Sequence, residues 1–271
     1  MTKRIVFVGG GNMGEALISG LLHSGHWKPS HIIACDIRHD QLAKLQLRYK
    51  VHASADNRWA VREADIVLLA VKPQHMKHVL EEVGPVVRQE QLVLSIAAGI
   101  TTSFIEKFLA KGVPVVRIMP NTPALIGQGM AGMARGRYAK EAHERAARAI
   151  METVGAALSV PERQMDAVTA VSGSGPAYVF YVAEAMMEAG VKLGLAPHVA
   201  DALVRQTIQG AGTLLAQSHE EAHTLRERVT SPGGTTEAAL KVMEAAKVRA
   251  IFMKALRRAK ERSSELSQLS Y

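Results

Sequence analysis

The feature that most constrains the fold is an alternation of short apolar runs with helix-like segments over the first 160 residues. Uninterrupted apolar runs are typical of strands buried on both faces of a sheet. When helical segments separate such strands, they favour a mostly parallel sheet with helices on both sides. The sequence therefore predicts a Rossmann-type, doubly wound α/β domain. Its strands are expected at 4–8, 31–35, 65–71, 91–97, 113–119 and 156–160, and its helices near 12–24, 40–49, 74–83, 101–110 and 140–154.

From residue 161 onward, strand patterns give way to helical ones. The segment 175–195 opens with Gly-Pro, which suits a first helical turn, and it is apolar nearly all round. Such a helix needs cover on several sides, and one short domain can hardly supply it. We therefore expect an α/β domain at 1–160 and an all-α domain at 161–271. The second domain is expected to complete its core against another copy, as an obligate dimer.

The first predicted strand is followed by Gly9, Gly11 and Gly14, in the spacing G-x-G-x-x-G. Gly9 permits a tight turn, Gly11 leaves room for a pyrophosphate against the backbone, and Gly14 lets the next helix approach the sheet. Because a helix N-terminus attracts anions, this first glycine loop (residues 9–14) predicts a dinucleotide site. A plain glycine-rich turn is the competing interpretation.

The residues after the second predicted strand bear on the choice of dinucleotide. Asp36 stands 22 residues after Gly14, where a carboxylate would accept from the ribose 2′-OH of NAD. Arg38 could instead pair with the 2′-phosphate of NADP. The two signals conflict, and Asp36 could also simply cap the following turn.

A second glycine loop (residues 229–240) lies in the helical part. It offers the hydroxyls of Ser231, Thr235 and Thr236, with backbone N–H groups of 233–235 at the start of a helix. This combination predicts an anion site that could hold a carboxylate without any arginine. Alternatively, Thr235 is only the N-cap of the helix, with Glu237 in its first turn.

Composition bounds the other function classes. The formal charge is +8, but the densest basic cluster, 253–262, has helical spacing and acidic neighbours, as a solvated helix face would, so we expect no nucleic-acid partner. No apolar run approaches the ~18 residues of a membrane span. The single cysteine, Cys35, fits a reducing compartment, and we expect a cytoplasmic protein. None of the 11 histidines falls in a metal-binding pattern, so no metal is expected.

Taken together, several segments resemble pyrroline-5-carboxylate reductases, the last enzymes of proline biosynthesis. The matching pieces span nearly the whole chain in order. They are VGGGNMGEAL, ADNRWAVREADIVLLAVKPQ, SIAAGI, RIMPNTPALIGQG, SGSGPAYVFYVAEAM with GVKLGL, and VTSPGGTTEAAL. The resemblance implies a dinucleotide-binding domain, a helical domain that interlocks with a partner, and in some members a decamer of five dimers. It also implies hydride transfer from NADPH or NADH to the C=N carbon of 1-pyrroline-5-carboxylate, giving L-proline.

The resemblance also assigns residues. It implies that Ala97 and Ala98 flank the nicotinamide, and that Asn57 is a further contact of the coenzyme. Substrate would be held by Ser231, Gly234, Thr235 and Thr236. The full set of coenzyme contacts, with Asp36 and Arg38 included for the ribose, is Gly9, Gly10, Gly11, Asn12, Met13, Asp36, Arg38, Asn57, Ala70, Val71, Lys72, Pro73, Ala97 and Ala98.

Thr236 would lie beside the substrate nitrogen as the catalytic residue. Hydride transfer to a neutral imine would leave an amide-like anion, so the nitrogen must be protonated before or during the step. The intrinsic pKa of a threonine hydroxyl is too high for easy proton donation. We therefore expect Thr236 to orient an already protonated iminium, or to relay a proton from water.

The segment CDIRHD departs from the family pattern, because many members have short polar residues or Asn-Arg there and prefer NADPH. Asp36 would repel a 2′-phosphate unless Arg38 compensates, so the preference for NADPH is a weak expectation. The nearest rival is a β-hydroxyacid dehydrogenase of the 6-phosphogluconate type, but it needs a catalytic lysine that the segment 175–190 lacks. A non-catalytic NADP-sensing or nucleic-acid-binding module is the alternative from another class.

Overall fold

The computed structural model describes residues 3–268, without the side chain of Gln268, and its first part is built on one eight-stranded sheet. The strand order is β3-β2-β1-β4-β5-β6-β7-β8, and every neighbouring pair is parallel except β6 with β7. The strands are β1 Ile5–Val8, β2 Ile32–Cys35, β3 His52–Ser54, β4 Ile66–Leu69, β5 Leu92–Ser95, β6 Val115–Met119, β7 Gly129–Arg135 and β8 Gly155–Ser159.

Helices cover both faces of this sheet. The helices of this part are α1 Asn12–His23, α2 His39–Tyr49, α3 Asn57–Arg62, α4 Met76–Val83, α5 Thr102–Glu106, α6 Glu141–Met151 and α7 Met165–Val168. On β1, Ile5 and Phe7 pack in the core shared with α1, α2 and α6, whereas Val6 and Val8 pack in the core shared with α3 and α4. Each fully buried side chain of this size contributes about 1.5–3 kcal/mol. The predicted doubly wound α/β fold is confirmed.

Three elements of this part escape the sequence pattern. They are β3, β7 and α3. β3 is a three-residue edge strand with little buried surface, and β7 (GMAGMAR) contains two glycines and no β-branched residue, so neither has the composition of a strand. The helix expected near 101–110 is shorter, because α5 ends at Glu106.

The later part of the chain is helical, as the sequence indicates. Its helices are α8 Gly175–Lys192, α9 Pro197–Gln217, α10 Ala222–Arg228, α11 Thr235–Ala245 and α12 Val248–Gln268. Pro197 occupies the first turn of α9, where its missing N–H costs no hydrogen bond. No helix within residues 3–268 combines the length and apolar character needed to cross a bilayer.

Large apolar side chains on these helices are exposed in the single chain. On α8 they include Val179, Phe180, Tyr181, Val182 and Met186, and others lie on α9, α11 and α12. α8 has no buried residue in the single chain. Exposed apolar surface on this scale marks an interface.

By its own contacts the chain divides into two compact units. The first unit comprises the chain up to Ser174 together with the chain from Ala259 onward, and the second is Gly175–Arg258. The division thus falls later than the expected boundary at 160, since residues 161–174 pack on the sheet. A Cβ on Gly132 of β7 would lie 2.5 Å from Val168 Cγ1, and Gly173 adjoins Met119 of β6. The end of α12 also returns to the first unit, and residues 269–271 of the expected second domain lie outside the described residues.

Candidate active site

A cavity of about 720 Å³ opens at the carboxyl edge of β1, β2 and β4, and the first glycine loop forms one wall of it. We call it the glycine-loop cavity. Ligands of open α/β sheets bind at this edge, where the strand order reverses direction from β1. Ten of the residues expected to contact a dinucleotide line it: Gly9, Gly11, Asn12, Met13, Asp36, Arg38, Asn57, Ala70, Val71 and Lys72.

The glycines of the loop are required by close backbone contacts. Gly9 has φ +106°, and a Cβ on it would lie 2.7 Å from the carbonyl oxygen of Ala70. A Cβ on Gly14 would lie 2.6 Å from the carbonyl oxygen of Gly9, so α1 can begin directly against the loop. Gly11 differs, because a Cβ there would meet no atom within 4 Å among the described residues. The space beside Gly11 is therefore open toward the cavity.

Helix α1 begins at Asn12 with Gly11 as its N-cap. Since glycine has no side chain to accept from the first-turn amides, those N–H groups are free for a ligand. The positive end of the helix dipole lies at the same place. The loop thus offers an anion the donors and the room that a pyrophosphate needs.

The peptide groups of Gly10 are held from the other side. Its N–H donates to Asp36 Oδ2 (3.0 Å), and its carbonyl oxygen accepts from Gln41 Nε2 (2.6 Å). Gln41 also donates to Glu15 (3.3 Å). Gly10 does not line the glycine-loop cavity, and these hydrogen bonds to its peptide groups fix the loop.

Glu15, in the first turn of α1, supports the same loop. Its carboxylate accepts from Lys44 Nζ (2.6 Å), Arg48 Nη1 (3.2 Å) and Tyr49 Oη (3.2 Å). Burial acts to raise the pKa of Glu15, but the hydrogen bonds from Lys44, Gln41 and Tyr49 and the charge of Lys44 together outweigh it, and the pKa is lowered. The carboxylate therefore remains ionised at neutral pH.

The carboxylate of Asp36 is engaged within the chain. Besides Gly10, it accepts from the backbone N–H of Arg38 (2.9 Å) and from Arg38 Nε (3.3 Å), and its side chain is only 9% exposed. The Arg38 side chain is 54% exposed. Of the two residues with conflicting coenzyme signals, Asp36 thus binds the glycine loop through its carboxylate, whereas part of the Arg38 guanidinium faces solvent.

The cavity is also lined by residues that sequence reasoning missed. They are Ile37, His75, His78, Val79 and Glu82. Asn57, at the start of α3, donates to Glu82 Oε2 (2.9 Å). His75, His78, Val79 and Glu82 follow one another at helical spacing, on the turn before α4 and on α4 itself. Periodicity beyond the matched segment AVKP could therefore have identified them.

Burial raises the pKa of the Cys35 thiol, beside the same cavity, to about 12. No group of three or more His, Cys, Asp or Glu residues in the described part of the chain is placed to hold a metal ion.

Pro73, Ala97 and Ala98 do not line the glycine-loop cavity. Pro73 begins a short 3₁₀ turn after β4. Ala97 and Ala98 belong to the loop that follows β5, and Ile96 at the start of that loop donates its N–H to the carbonyl oxygen of Leu69 at the end of β4 (3.1 Å). The two alanines thus lie at the same edge of the sheet as the cavity.

In the second glycine loop, two of the three expected N–H donors are already used. Gly233, with φ +71°, donates to Glu237 Oε2 (2.6 Å), and Gly234 donates to the carbonyl oxygen of Ser231 (2.9 Å). The N-cap of α11 is Gly234, so Thr235 is the first helical residue and not the cap. The amides of Thr235 and Thr236 lie in the first turn, where a helix provides them no acceptor.

Glu237 holds this loop by accepting a hydrogen bond from Gly233 with its charged carboxylate. Hydrogen bonds from Lys241 and from the backbone of Gly233 lower the pKa of its carboxyl, so it is ionised at neutral pH. Ser231, Gly233 and Thr235 are exposed, and Thr236 is half-buried. The loop therefore presents hydroxyls and first-turn amides at an open surface.

Two family models match the chain. One, described as "Pyrroline-5-carboxylate reductase dimerisation", matches residues 162–266, and the other, described as "NADP oxidoreductase coenzyme F420-dependent", matches residues 4–99. The dimerisation model covers the second glycine loop. The NADP oxidoreductase model covers the first glycine loop and the two alanines after β5.

Curated relatives match the chain from end to end. The pyrroline-5-carboxylate reductase of Pseudomonas aeruginosa is 45% identical, and that of Methanosarcina acetivorans is 42% identical, each over 98% of both chains. Among solved structures, a pyrroline-5-carboxylate reductase from Coxiella burnetii has a TM-score of 0.94 and 40% identity, covering 99% of this chain and 100% of that one. A Plasmodium falciparum pyrroline carboxylate reductase with NADP bound has a TM-score of 0.87 and 28% identity, covering 98% of each chain. The chain therefore belongs to the pyrroline-5-carboxylate reductase family.

Proposed function

We infer that this chain reduces 1-pyrroline-5-carboxylate to L-proline with hydride from NAD(P)H, the final step of proline biosynthesis. The observation that carries this conclusion is the full-length likeness to the reductases, with 45% identity over 98% of both chains to one of them. The glycine-loop cavity supplies the physical basis, since it has the position and the open backbone that a dinucleotide requires.

The residues present fit the coenzyme. Its pyrophosphate would meet the first-turn amides of α1 beside Gly11, where a side chain would otherwise stand. Asn57, Ala70, Val71 and Lys72 would line its course through the cavity. Pro73, Ala97 and Ala98 would extend the contact beyond the cavity, with the two alanines beside the nicotinamide. When bound, the coenzyme supplies the hydride.

NADPH is the coenzyme that we propose as preferred. The carboxylate of Asp36 already accepts from the backbone N–H groups of Gly10 and Arg38 and from Arg38 Nε, so its charge is partly offset before a coenzyme binds. Arg38 keeps more than half of its side chain exposed at the rim, where a guanidinium suits a 2′-phosphate. NADP is also the coenzyme bound in the relative from Plasmodium falciparum.

The substrate would be held by the second glycine loop. Its carboxylate would accept from the first-turn amides of α11 and from the hydroxyls of Ser231 and Thr235, with Gly234 giving close access to the backbone. The anionic Glu237 next to this position repels further negative charge, so the loop would hold one carboxylate. Thr236, the catalytic residue, would orient the protonated imine nitrogen for hydride attack at the adjacent carbon.

Assembly completes this proposal. The family model over 162–266 describes a dimerisation segment, and the exposed apolar side chains of α8 supply the matching surface. We therefore assign the chain to a dimer or larger oligomer in which residues 161–271 act as the dimerisation domain. More specifically, we propose that five such dimers form a decamer. We also place the protein in the cytoplasm, in keeping with its one buried thiol, Cys35.

A coupled assay tests the function. Purified protein mixed with 1-pyrroline-5-carboxylate and NADPH, or NADH, should consume the coenzyme, seen as falling absorbance near ~340 nm, and should form proline in equal amount. A 3-hydroxy acid with NADP⁺, the substrate type of the β-hydroxyacid dehydrogenases, should give no reaction. Absence of coenzyme consumption with the imine and both coenzymes would overturn the proposal.

A further inference from the structure

Five polar residues from distant parts of the sequence meet inside the first unit. We call them the Arg117 network: Thr102, Arg117, Glu162, Asp166 and Ser263. Arg117 on β6 lies at the centre, with its side chain only 4% exposed. Thr102 and Ser263 are also buried. None of these residues belongs to the contacts proposed above for coenzyme or substrate.

Charge and hydrogen bonds connect the five residues. Arg117 Nη1 lies 3.6 Å from Glu162 Oε1, and Arg117 Nη2 lies 3.9 Å from Asp166 Oδ1. Glu162 accepts from the backbone N–H of Thr102 (2.7 Å) and from its hydroxyl. Ser263 Oγ donates to Asp166 Oδ1 (2.7 Å). One cation thus orients two carboxylates, and each carboxylate holds a different part of the chain.

The two parts held in this way border the loop after β5, residues 96–101. Thr102 follows this loop directly and begins α5. Ser263 lies on α12, one turn before the point where that helix packs on the loop. There, a Cβ on Gly99 would lie 3.4 Å from Leu266 Cβ. The network therefore fixes both the end of the loop and the helix that packs against Gly99.

Stability alone does not account for such a network. Burial lowers the pKa of the Arg117 guanidinium, and the two carboxylates act against that shift. Well-packed apolar residues of similar volume often stabilise a fold as much as a buried ion pair does. What a fully connected set of charges and hydrogen bonds adds is one defined arrangement of the segments that it joins.

We propose that the Arg117 network positions the loop 96–101 for hydride transfer, so that Thr102 and Glu162 are positioning residues of the reaction. This inference rests on the proposed function, which places Ala97 and Ala98 of that loop beside the nicotinamide. The adenosine and pyrophosphate parts of the coenzyme are held elsewhere, by the glycine-loop cavity. Loosening the loop should therefore misplace the nicotinamide and leave the rest of the coenzyme in place.

Hydride transfer is sensitive to placement, since a displacement of about 1 Å can cost on the order of 100-fold in rate. We expect Glu162→Gln and Thr102→Val to lower kcat by about tenfold and to raise the KM for NADPH only several-fold, because the adenosine and pyrophosphate contacts stay in place. Thr102→Ser, which keeps the hydroxyl, should retain most of the activity. Glu141→Gln is the matched control, because Glu141 is an exposed carboxylate at the start of α6 whose partner, Arg145, is also exposed.

Two readouts separate positioning from a loss of folded protein. With NADPH deuterated at the transferring position, the primary isotope effect on kcat should rise in Glu162→Gln, because hydride transfer becomes more rate-limiting. Glu162→Gln should melt at a lower temperature than Glu141→Gln, because the buried Arg117 loses one of its two carboxylates, but it should remain folded at the assay temperature. Unchanged kcat in both network variants, or a fall in kcat that merely follows the fraction unfolded, would overturn the inference.

Binding measurements decide the inference even if turnover fails. In Glu162→Gln, NADPH should bind several-fold more weakly than to the unaltered protein, whereas 2′,5′-ADP, which lacks the nicotinamide, should bind equally well. If Glu162→Gln bound NADPH as tightly as the parent does, and 2′,5′-ADP likewise, the result would contradict a role of the network in holding the nicotinamide loop. Failure of the parent chain to reduce the imine would instead refute the proposed function.

Discussion

The two glycine-bearing helix starts of this chain are built to different degrees of completeness. The first glycine loop is closed by backbone on one side, since a Cβ on Gly9 would lie 2.7 Å from Ala70 O. It is also held at Gly10 by Asp36 and Gln41. The second glycine loop has one internal carboxylate bond, from Gly233 to Glu237, and most of its residues are exposed.

This difference teaches how the reaction is divided over the molecule. The hydride donor would bind to a loop that the first unit of one chain already holds rigidly. The acceptor would bind to a loop within the segment 162–266 that the family model describes as the dimerisation region. The first loop is therefore expected to work in a single chain, and the second only after assembly.

The largest effect is expected at the second loop. Thr236→Ala removes the hydroxyl that we propose lies beside the substrate nitrogen, and it should lower kcat by roughly 100-fold, which is the scale for loss of one well-placed hydrogen-bonding group in an active site. Thr236→Ser should recover much of the rate, and coenzyme affinity should not change in either variant. Steady-state kinetics with coenzyme titration checks this, and unchanged turnover in Thr236→Ala would remove Thr236 from the mechanism.

At the first loop, two alanine substitutions separate the fold from the binding site. Gly11→Ala meets open space, so it should leave the melting temperature of the free protein unchanged while weakening NADPH binding by about tenfold or more, since the methyl group takes the place of the pyrophosphate. Gly9→Ala should also destabilise the protein by about 1–3 kcal/mol, because φ is +106°. If Gly11→Ala and the parent had equal NADPH affinity, the first glycine loop would be only a glycine-rich turn and not a pyrophosphate site.

Coenzyme choice tests the orientation of Asp36 and Arg38. Arg38→Ala should lower the NADPH-to-NADH ratio of kcat/KM by about tenfold, as expected for one charge-assisted contact to the 2′-phosphate. Asp36→Ser should lower kcat/KM with both coenzymes alike if the main role of Asp36 is to hold Gly10 through its N–H. A selective loss of NADH activity in Asp36→Ser would show that the carboxylate is a ribose ligand after all.

The smallest effect concerns the support beneath the first loop. Glu15→Gln should cost about 1–2 kcal/mol at pH 7, where the ionised carboxylate accepts from Lys44 and Arg48. Because the pKa of Glu15 is lowered in the folded protein, its contribution to stability is complete above the unfolded pKa of about 4.3 and is lost as pH falls through the folded pKa.

Urea unfolding at pH 7 and near pH 3 measures this difference, which should shrink at the lower pH. Glu63→Gln is the control, because the pair of Glu63 with Arg4 is exposed. A cost for Glu15→Gln that does not depend on pH would mean that the carboxylate charge does not support the loop.

Much of this architecture can be predicted from the sequence, because apolar periodicity and glycine spacing are local signals. The strands β1, β2, β4, β5, β6 and β8 and both glycine loops are examples. The antiparallel strand β7 escapes prediction because its own composition, GMAGMAR, carries no strand pattern, although it pairs with the predicted strand β6.

Side-chain partners are harder to predict than elements. The pairing of Asp36 with the Gly10 amide and the use of Gly233 by Glu237 depend on rotamers and loop geometry, which residue type alone does not determine. The spacing of His75 and His78 indicates that they share a helix face, and the three-dimensional structure places that face in the cavity wall.

The central claim is that coenzyme binding belongs to one chain and turnover to the assembled protein. Phe180→Asp, at a side chain 66% exposed on α8, tests it by placing a charge on the apolar surface. Leu47→Asp, at a side chain 74% exposed on α2, is the matched control and should keep the parent's assembly and activity. The account predicts that Phe180→Asp becomes monomeric, binds NADPH within about threefold of the parent and loses nearly all turnover. A monomeric Phe180→Asp with full activity, or one that loses NADPH binding in parallel, would contradict it.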